Sequence, residues 1–211
     1  ELRYQIGDSQ PAVLIALKGY HVEIGGVPTP EWPLDALRAA VAHVGQGRTL
    51  IAGTIGSNLR MGFSAAATDP AADDELLWQA LRAAEVAEVV IDRGGLDAEV
   101  SQGGANFSGG QRQRLAVARA LVRRPRILCL DAAFSAMDRS TADAVLAGIR
   151  SMLPHATILI ADQQVENVRT AEQIAVLDSR RIIDIGTHDE LLARCAVYRE
   201  FADAQAPSLP G

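Results

Sequence analysis

Phe107-Ser108-Gly109-Gly110-Gln111-Arg112-Gln113-Arg114-Leu115-Ala116 is the stretch of this chain with the most chemistry in it. Ser108 is a good helix N-cap, and the two glycines after it let another molecule come close to the backbone. A helical pattern, Gln111–Val122, follows at once. Unpaired backbone N–H groups and the positive end of a helix dipole therefore face outward, which is the chemistry of an anion site. An ordinary capped helix behind a glycine turn uses the same residues, and on mechanism alone both readings stay open.

The elements that must position this segment alternate between strand and helix. Glu1–Gln5, His21–Ile24, Ile127–Leu130, Thr157–Ala161 and Gln173–Leu177 are strand-like. Ile127-Leu128-Cys129-Leu130 and Thr157-Ile158-Leu159-Ile160 are apolar without alternation, as strands covered on both faces should be. Asp73–Val90 carries Leu76, Leu77, Ala80, Leu81 and Ala84 on one helical face. Gln111–Val122 is stopped by Pro125 after Arg123 and Arg124, whose charges suit a helix C-terminus. Thr187-His188-Asp189-Glu190 before Leu191-Leu192 predicts a capping box opening a last helix. The alternation predicts an α/β fold with a mostly parallel core sheet, while Asp73–Val90 stands outside it and predicts a separate helical lobe. The tail from Asp203, with Pro207 and Pro210, is expected to be disordered. There are no repeats.

Composition bounds the rest. With 211 residues, 48% of them hydrophobic, the chain can bury one sizeable core. A net charge of -6 argues against nucleic acid or an anionic membrane surface as the main partner. No apolar run approaches the roughly 20 residues that span a bilayer. The opening Glu1-Leu2-Arg3-Tyr4 does not read as a signal peptide, and the missing initial Met leads us to expect a piece of a longer protein. Cys129 and Cys195 lack metal-like spacing, and Cys129 in its apolar strand reads as a reduced, buried thiol. Lys18 is the single lysine among 20 basic residues, which with abundant alanine points to a GC-rich bacterial genome. Trp32 and Trp78 read as packing residues. His21, His43, His155 and His188 show no ligand spacing and read as solvated or capping.

The segment Phe107–Ala116 closely resembles the signature of ABC transporters, with Leu115–Leu121 and a strand ending in Asp131 after it, in that family's order. Glu99-Val100-Ser101-Gln102-Gly103-Gly104 resembles the loop through which ABC exporters touch their membrane domains. Gln46, after Ala42-His43-Val44-Gly45, falls at the family's Q-loop glutamine, and Ala52-Gly53-Thr54-Ile55 continues that pattern. Tyr4 falls where an aromatic stacks on adenine, although an edge-strand aromatic explains it as well. Gly186-Thr187-His188-Asp189-Glu190-Leu191 matches the exporter C-terminal motif. The resemblance implies an ABC-type, P-loop NTPase-like α/β core with an antiparallel part and a small helical lobe at about residues 60–122. The whole of 1–211 would be one ATP-binding domain with a tail at about 203–211. It also implies ATP and Mg²⁺ as ligands, with Tyr4, Gln46 and Asp131 binding the nucleotide and Asp131 and Gln46 the metal.

Three departures from the family pattern bear on activity. Asp131, at the tip of a buried strand, suits Mg²⁺, but the next residue is Ala132 where the family has the glutamate that polarises the attacking water. Loss of a general base costs roughly 10²–10⁴ in rate. After Thr157–Ala161 the family places a histidine facing the γ-phosphate, whereas this chain has Asp162, a carboxylate that a triphosphate repels. Phe134 in the same segment is also unusual. Lastly, no G-x-x-x-x-G-K-S/T phosphate loop occurs, and Lys18 lacks the glycine-rich turn that would make one. Too few positions separate Tyr4 from Gln46 to also hold a strand, that loop and a helix, roughly 30–40 residues. A true deletion would strip backbone partners from the core sheet. We therefore expect a segment to be missing from the written sequence between about Gln10 and Gly19.

What the resemblance then implies is the ATP-binding domain of an exporter-type transporter, impaired in its own hydrolytic site. Its intact signature, Ser108, Gly109, Gly110 and Gln111, would complete the active site of a second ABC domain in a heterodimer. Asp138 would help the two sites communicate. Transmembrane domains of the same transporter would hold it at the cytoplasmic face of a bacterial membrane, with no role for nucleic acid. A non-transporting regulatory or scaffold ABC module is the alternative. An ABC ATPase of DNA repair or translation is disfavoured by the acidic balance and by the exporter-like Glu99–Gly104 loop.

Overall fold

The computed structural model describes residues 4–6, 22–24, 27–28, 31–45, 50–61, 70–179 and 181–205. In chain order the elements are β1 (Tyr4–Ile6), β2 (Val22–Ile24), β3 (Val27–Pro28), α1 (Leu34–Ala40), β4 (Val41–Val44), β5 (Gly53–Thr54), α2 (Ile55–Arg60), α3 (Pro70–Ala83) and α4 (Ala87–Asp92). There follow β6 (Glu99–Val100), α5 (Gly109–Val122), β7 (Ile127–Asp131), α6 (Arg139–Met152), β8 (Thr157–Ala161), α7 (Val165–Val168), β9 (Ile174–Asp178), β10 (Arg181–Gly186), α8 (His188–Arg194) and α9 (Ala196–Gln205). Two compact units result, one formed by Glu1–Trp32 with Thr157–Gly211 and the other by Pro33–Ala156.

In the Pro33–Ala156 unit, β4 and β7 pair in parallel, Val41 facing Ile127 and Val44 facing Leu130. The apolar run of β7 is largely buried, with Leu128 and Leu130 almost wholly shielded, which is why that strand does not alternate in sequence, whereas β4 buries Ala42 and Val44 and exposes His43. Cys129 is a free thiol, as expected from its strand, but half-buried where a buried one was expected, and that burial pushes its pKa up. Helix α3 packs against α5 and α6 through Leu77, Ala80 and Leu81, the face its periodicity marks, with Leu76 at the edge of that stripe. Gly148 of α6 lies against the backbone of Ala83, where no larger residue fits. Trp78 is half-buried, in keeping with a packing role.

The single helix expected over Asp73–Val90 is two helices. Glu85 takes a left-handed conformation at φ 55°, its N–H bonds the carbonyl of Arg82 and the N–H of Val86 bonds that of Leu81, both at 3.0 Å. This pair of bonds is a Schellman cap, and Leu81 and Val86 supply its buried apolar contact. The break escapes a sequence reading because the left-handed position holds Glu, not Gly. Exchanging Glu85 for Gly is expected to stabilise the fold by about 1 kcal/mol, since Gly adopts that conformation without a Cβ clash. Urea unfolding of the two proteins measures the difference.

In the other unit, β1 pairs with β2 in parallel and β2 with β3 antiparallel. Strands β9 and β10 form an antiparallel ribbon with a register shift between Ile182 and Asp184. Val165, Ile174, Val176, Leu191, Cys195 and Tyr198 make its core. The capping box expected at Thr187 is present: Glu190 Oε2 accepts from the Thr187 N–H at 2.9 Å, and Thr187 Oγ1 accepts from the Glu190 N–H at 3.4 Å. His188, expected to be solvated or capping, instead shares a hydrogen bond of 2.9 Å between Nδ1 and the Tyr198 hydroxyl. Helix α9 runs through Asp203, where the sequence reading begins its tail, to Gln205, and residues 206–211 lie outside the described residues. The observed architecture is mixed α/β, with parallel strand pairs, antiparallel ribbons and packed helices.

Candidate functional site

Helix α5 begins with a closed capping box. Ser108 Oγ accepts from the Gln111 N–H at 3.2 Å, and Gln111 Oε1 accepts from the Ser108 N–H at 3.0 Å. Gln111 thus spends its side chain on the cap, and Gly109 and Gly110 are left as the first-turn residues for which helix geometry supplies no intrahelical acceptor. Ser108 is exposed and Gly109, Gly110 and Gln111 are half-exposed. The segment keeps the geometry of an anion site: a 14-residue helix presenting its positive end behind two glycines.

The approach to this helix is also fixed. Arg93 stacks over the Phe107 ring at 4.3 Å and donates to the Asn106 carbonyl at 2.8 Å. Asn106 Oδ1 accepts from the N–H and hydroxyl of Ser101, and its Nδ2 donates to the Glu99 carbonyl at 2.7 Å. The exporter-like stretch Glu99–Gly104 is therefore a tied loop, whose strand β6 pairs with β5, setting Thr54 opposite Glu99. That pairing joins two segments that the family resemblance treats separately.

Strand β7 ends on Asp131, an exposed residue. Ala132 follows in a left-handed conformation at φ 46°, then Ala133 and Phe134 turn inward and are buried. Phe134, unusual by sequence, is thus a core residue. The chain closes on itself through the Ser135 N–H to the Ala132 carbonyl, 3.2 Å, and the Met137 N–H to the Phe134 carbonyl, 3.0 Å. Gln113 of α5 reaches this loop. Its Nε2 donates to Ser135 Oγ at 2.9 Å and to the Ala132 carbonyl at 3.4 Å, and its Oε1 accepts from the Ala136 N–H at 3.0 Å. A Cβ on Gly110 would stand 2.6 Å from the Ala136 carbonyl oxygen, so the second signature glycine seats directly on the loop. Gln113 belongs to the signature segment by sequence, yet nothing in its neighbours marks it as the bridge.

Asp138 caps α6. Its carboxylate accepts from the Ser140 hydroxyl at 2.7 Å, the Thr141 N–H at 2.9 Å and the Thr141 hydroxyl at 2.7 Å. These bonds, the one from Ser140 foremost, hold the carboxyl far below the usual carboxylate range. A depressed folded-state pKa adds stability that is present above the unfolded value, about 3.9, and is lost as pH falls through the folded one. On acidification below about pH 4, stability should fall more steeply in the native protein than in Asp138→Asn, which keeps an acceptor but cannot titrate there. Urea midpoints at pH 6 and at pH 3 compare the two.

The remaining sequence-derived residues are less assembled. Asp162 follows β8, in the unit that does not contain Ala132, and its carboxylate is occupied by the turn after it: Oδ1 accepts from the Gln164 N–H and Oδ2 from Asn167 Nδ2, each at 2.9 Å. Tyr4 lies in β1, but its side chain is outside the described residues, as are Gln46, Lys18, His21 and the whole stretch between Gln10 and Gly19. Among the described residues no cluster of three His, Cys, Asp or Glu could hold a metal, and no helix is long and apolar enough to cross a membrane.

Residues 14–135 match the family profile described as "ABC transporter", over half of the chain. The chain belongs to the ABC transporter family. Its relatives include efflux and exporter proteins. An uncharacterized ABC transporter ATP-binding protein of Mycobacterium tuberculosis is 42% identical over 187 residues, covering 89% of this chain and 31% of the relative. A multidrug efflux ATP-binding/permease protein of the same species is 38% identical over 189 residues, covering 89% of this chain and 15% of the relative. The solved structure of a bacterial Atm1-family ABC exporter with ATP bound superposes with a TM-score of 0.81 at 31% identity, covering 90% of this chain and 32% of that one. This ABC domain thus spans about a third or less of the length of the curated relatives it matches. The family assignment, the ATP-binding domain and the exporter-type kinship that the signature implied all hold.

Proposed function

We propose that this ABC domain is the degenerate-site half of a heterodimeric exporter. Its own site would hold ATP and Mg²⁺ for long periods, and its signature would complete the hydrolytic site of a second ABC domain. The reading rests on one observation: the half-exposed first turn of α5, capped by Ser108 and Gln111 and keeping the Gly109 and Gly110 N–H groups, lies beside a β7 tip where Asp131 is followed by Ala132, whose side chain is a methyl group. The tip can bind a cation yet cannot take a proton from water. An exposed aspartate at a strand tip suits a cation that draws most of its ligands from phosphate and water, as Mg²⁺ does. Tyr4 would stack on the adenine and Gln46 would join Asp131 at the metal. Asp162, at the position of the γ-phosphate histidine, weakens the same site again.

In this proposal 1–211 is one ATP-binding domain with a helical lobe at about 60–122, and the phosphate loop belongs to a segment absent between about 10 and 19. Ser108, Gly109 and Gly110 would meet the partner's nucleotide, with Gln111 holding the cap. Membrane-spanning domains of the same transporter would anchor the assembly at the cytoplasmic face of the cell membrane. A homodimer of this chain would carry two impaired sites and no motor, which favours a distinct partner. The test is ATP hydrolysis by the chain alone and mixed with the ABC subunit encoded beside it, each repeated with Ser108→Ala. Activity confined to the mixture and lost on Ser108→Ala is the expected result. Strong hydrolysis by the chain alone would overturn the proposal.

A further inference from the structure

Gln113 has no part in the function proposed above, yet it is the side chain on which two segments of that function meet. Its amide makes three bonds to the loop after Asp131: to the Ala132 carbonyl, the Ser135 hydroxyl and the Ala136 N–H. One turn earlier on α5, Gly110 rests against the Ala136 carbonyl with no room for a Cβ. An amide side chain that donates and accepts at once copies a backbone edge, so it pins the loop in register and not merely in proximity. The loop in turn ends on Asp138, whose three bonds start α6.

Movement has few places to go in such an arrangement. Ala133 and Phe134 are buried, so the inner side of the loop is held by the core. Ser135 and Ala136 are exposed, and Gln113 with Gly110 is what contacts them from α5. A shift of the β7 tip, as when a ligand engages Asp131, would therefore be passed to the first turn of α5 through Gln113. We propose that Gln113 is a positioning residue that ties the presentation of Ser108, Gly109 and Gly110 to the state of the chain's own Asp131–Ala136 loop. The inference rests on the heterodimer reading for its consequence: occupancy of the slow site would set the geometry that the partner's fast site receives.

The experiment uses the complete two-subunit transporter and follows steady-state ATPase activity in Gln113→Ala, Gln113→Glu, Ser135→Ala and the double variant Gln113→Ala with Ser135→Ala, with Ser108→Ala as reference. Gln113→Ala should lower kcat about tenfold with KM within about twofold, since the loss falls on placement in the reacting state and not on nucleotide capture. Ser135→Ala should add little once Gln113 is gone, because both changes break the same bridge. Gln113→Glu keeps an acceptor for the Ala136 N–H and for the Ser135 hydroxyl but loses the bond to the Ala132 carbonyl, and should recover part of the rate lost in Gln113→Ala, which a general loss of packing would not permit. If Ser108→Ala abolishes activity while Gln113→Ala leaves kcat unchanged, the positioning role is overturned and the heterodimer reading stands. If neither variant alters kcat, the signature does not serve the partner and both proposals fall.

Discussion

A transporter carrying Gly110→Ala in this subunit is expected to lose ATP hydrolysis by roughly 10²–10³-fold while the domain stays folded. The size follows from what one well-placed backbone donor contributes in a reacting site. The cause is local: the new Cβ would stand 2.6 Å from the Ala136 carbonyl oxygen, inside contact distance. That carbonyl is main chain, and the adjoining N–H is bonded to Gln113, so the loop cannot step aside without breaking the bridge. The first turn of α5 must tilt instead, and with it the N–H groups that, in the function proposed above, meet the partner's nucleotide. Ala is the better helix former, which offsets part of the strain and keeps the fold. ATPase assays of the paired transporter, with thermal unfolding of the variant subunit alongside, read both quantities. Activity within threefold of the native value would show that Gly110 does not face the reacting nucleotide.

Ala132→Glu should act in the opposite direction, raising turnover in this subunit's own site by about 10²-fold. A general base contributes roughly 10²–10⁴, and the lower end is expected here because Asp162 stands where the family has a histidine. The position is stereochemically open to the change: Ala132 is half-exposed and its left-handed φ of 46° strains Ala and Glu alike. A clean reading needs the partner's site silenced by substitution of its own catalytic glutamate. Ala132→Gln is the control, equal in size but unable to take a proton. Equal rates for the Glu and Gln variants would mean that the missing carboxylate is not what limits this site.

Much of this architecture can be read from neighbours in the chain. The continuous apolar runs at Ile127–Leu130 and Thr157–Ala161 became β7 and β8, because a strand covered on both faces has no polar side to alternate with. Ser108 and Thr187 became N-caps with their partners three residues on, since a capping box is decided within one turn. The order of these segments was also enough to place the chain among ABC transporters of exporter type.

Other features depend on residues that the linear order keeps apart. The helix expected over Asp73–Val90 broke at Glu85, and the Glu85 carbonyl is met by Arg114, a residue far along the chain. His188 found Tyr198 only because α8 and α9 fold onto one core. Sequence by itself determined the apolar strands β7 and β8, the caps at Ser108 and Thr187 and the signature, because each is a property of residue type within a few positions, whereas short strands such as β4 and β5, set by their pairing partners, are not marked by it. Only the tertiary structure decided that Gln113 holds the loop after Asp131 and that Gly110 seats on Ala136. Those contacts join positions 19 to 23 apart for the Gln113 bonds, and the packing of α5 against the loop sets them, not local preference.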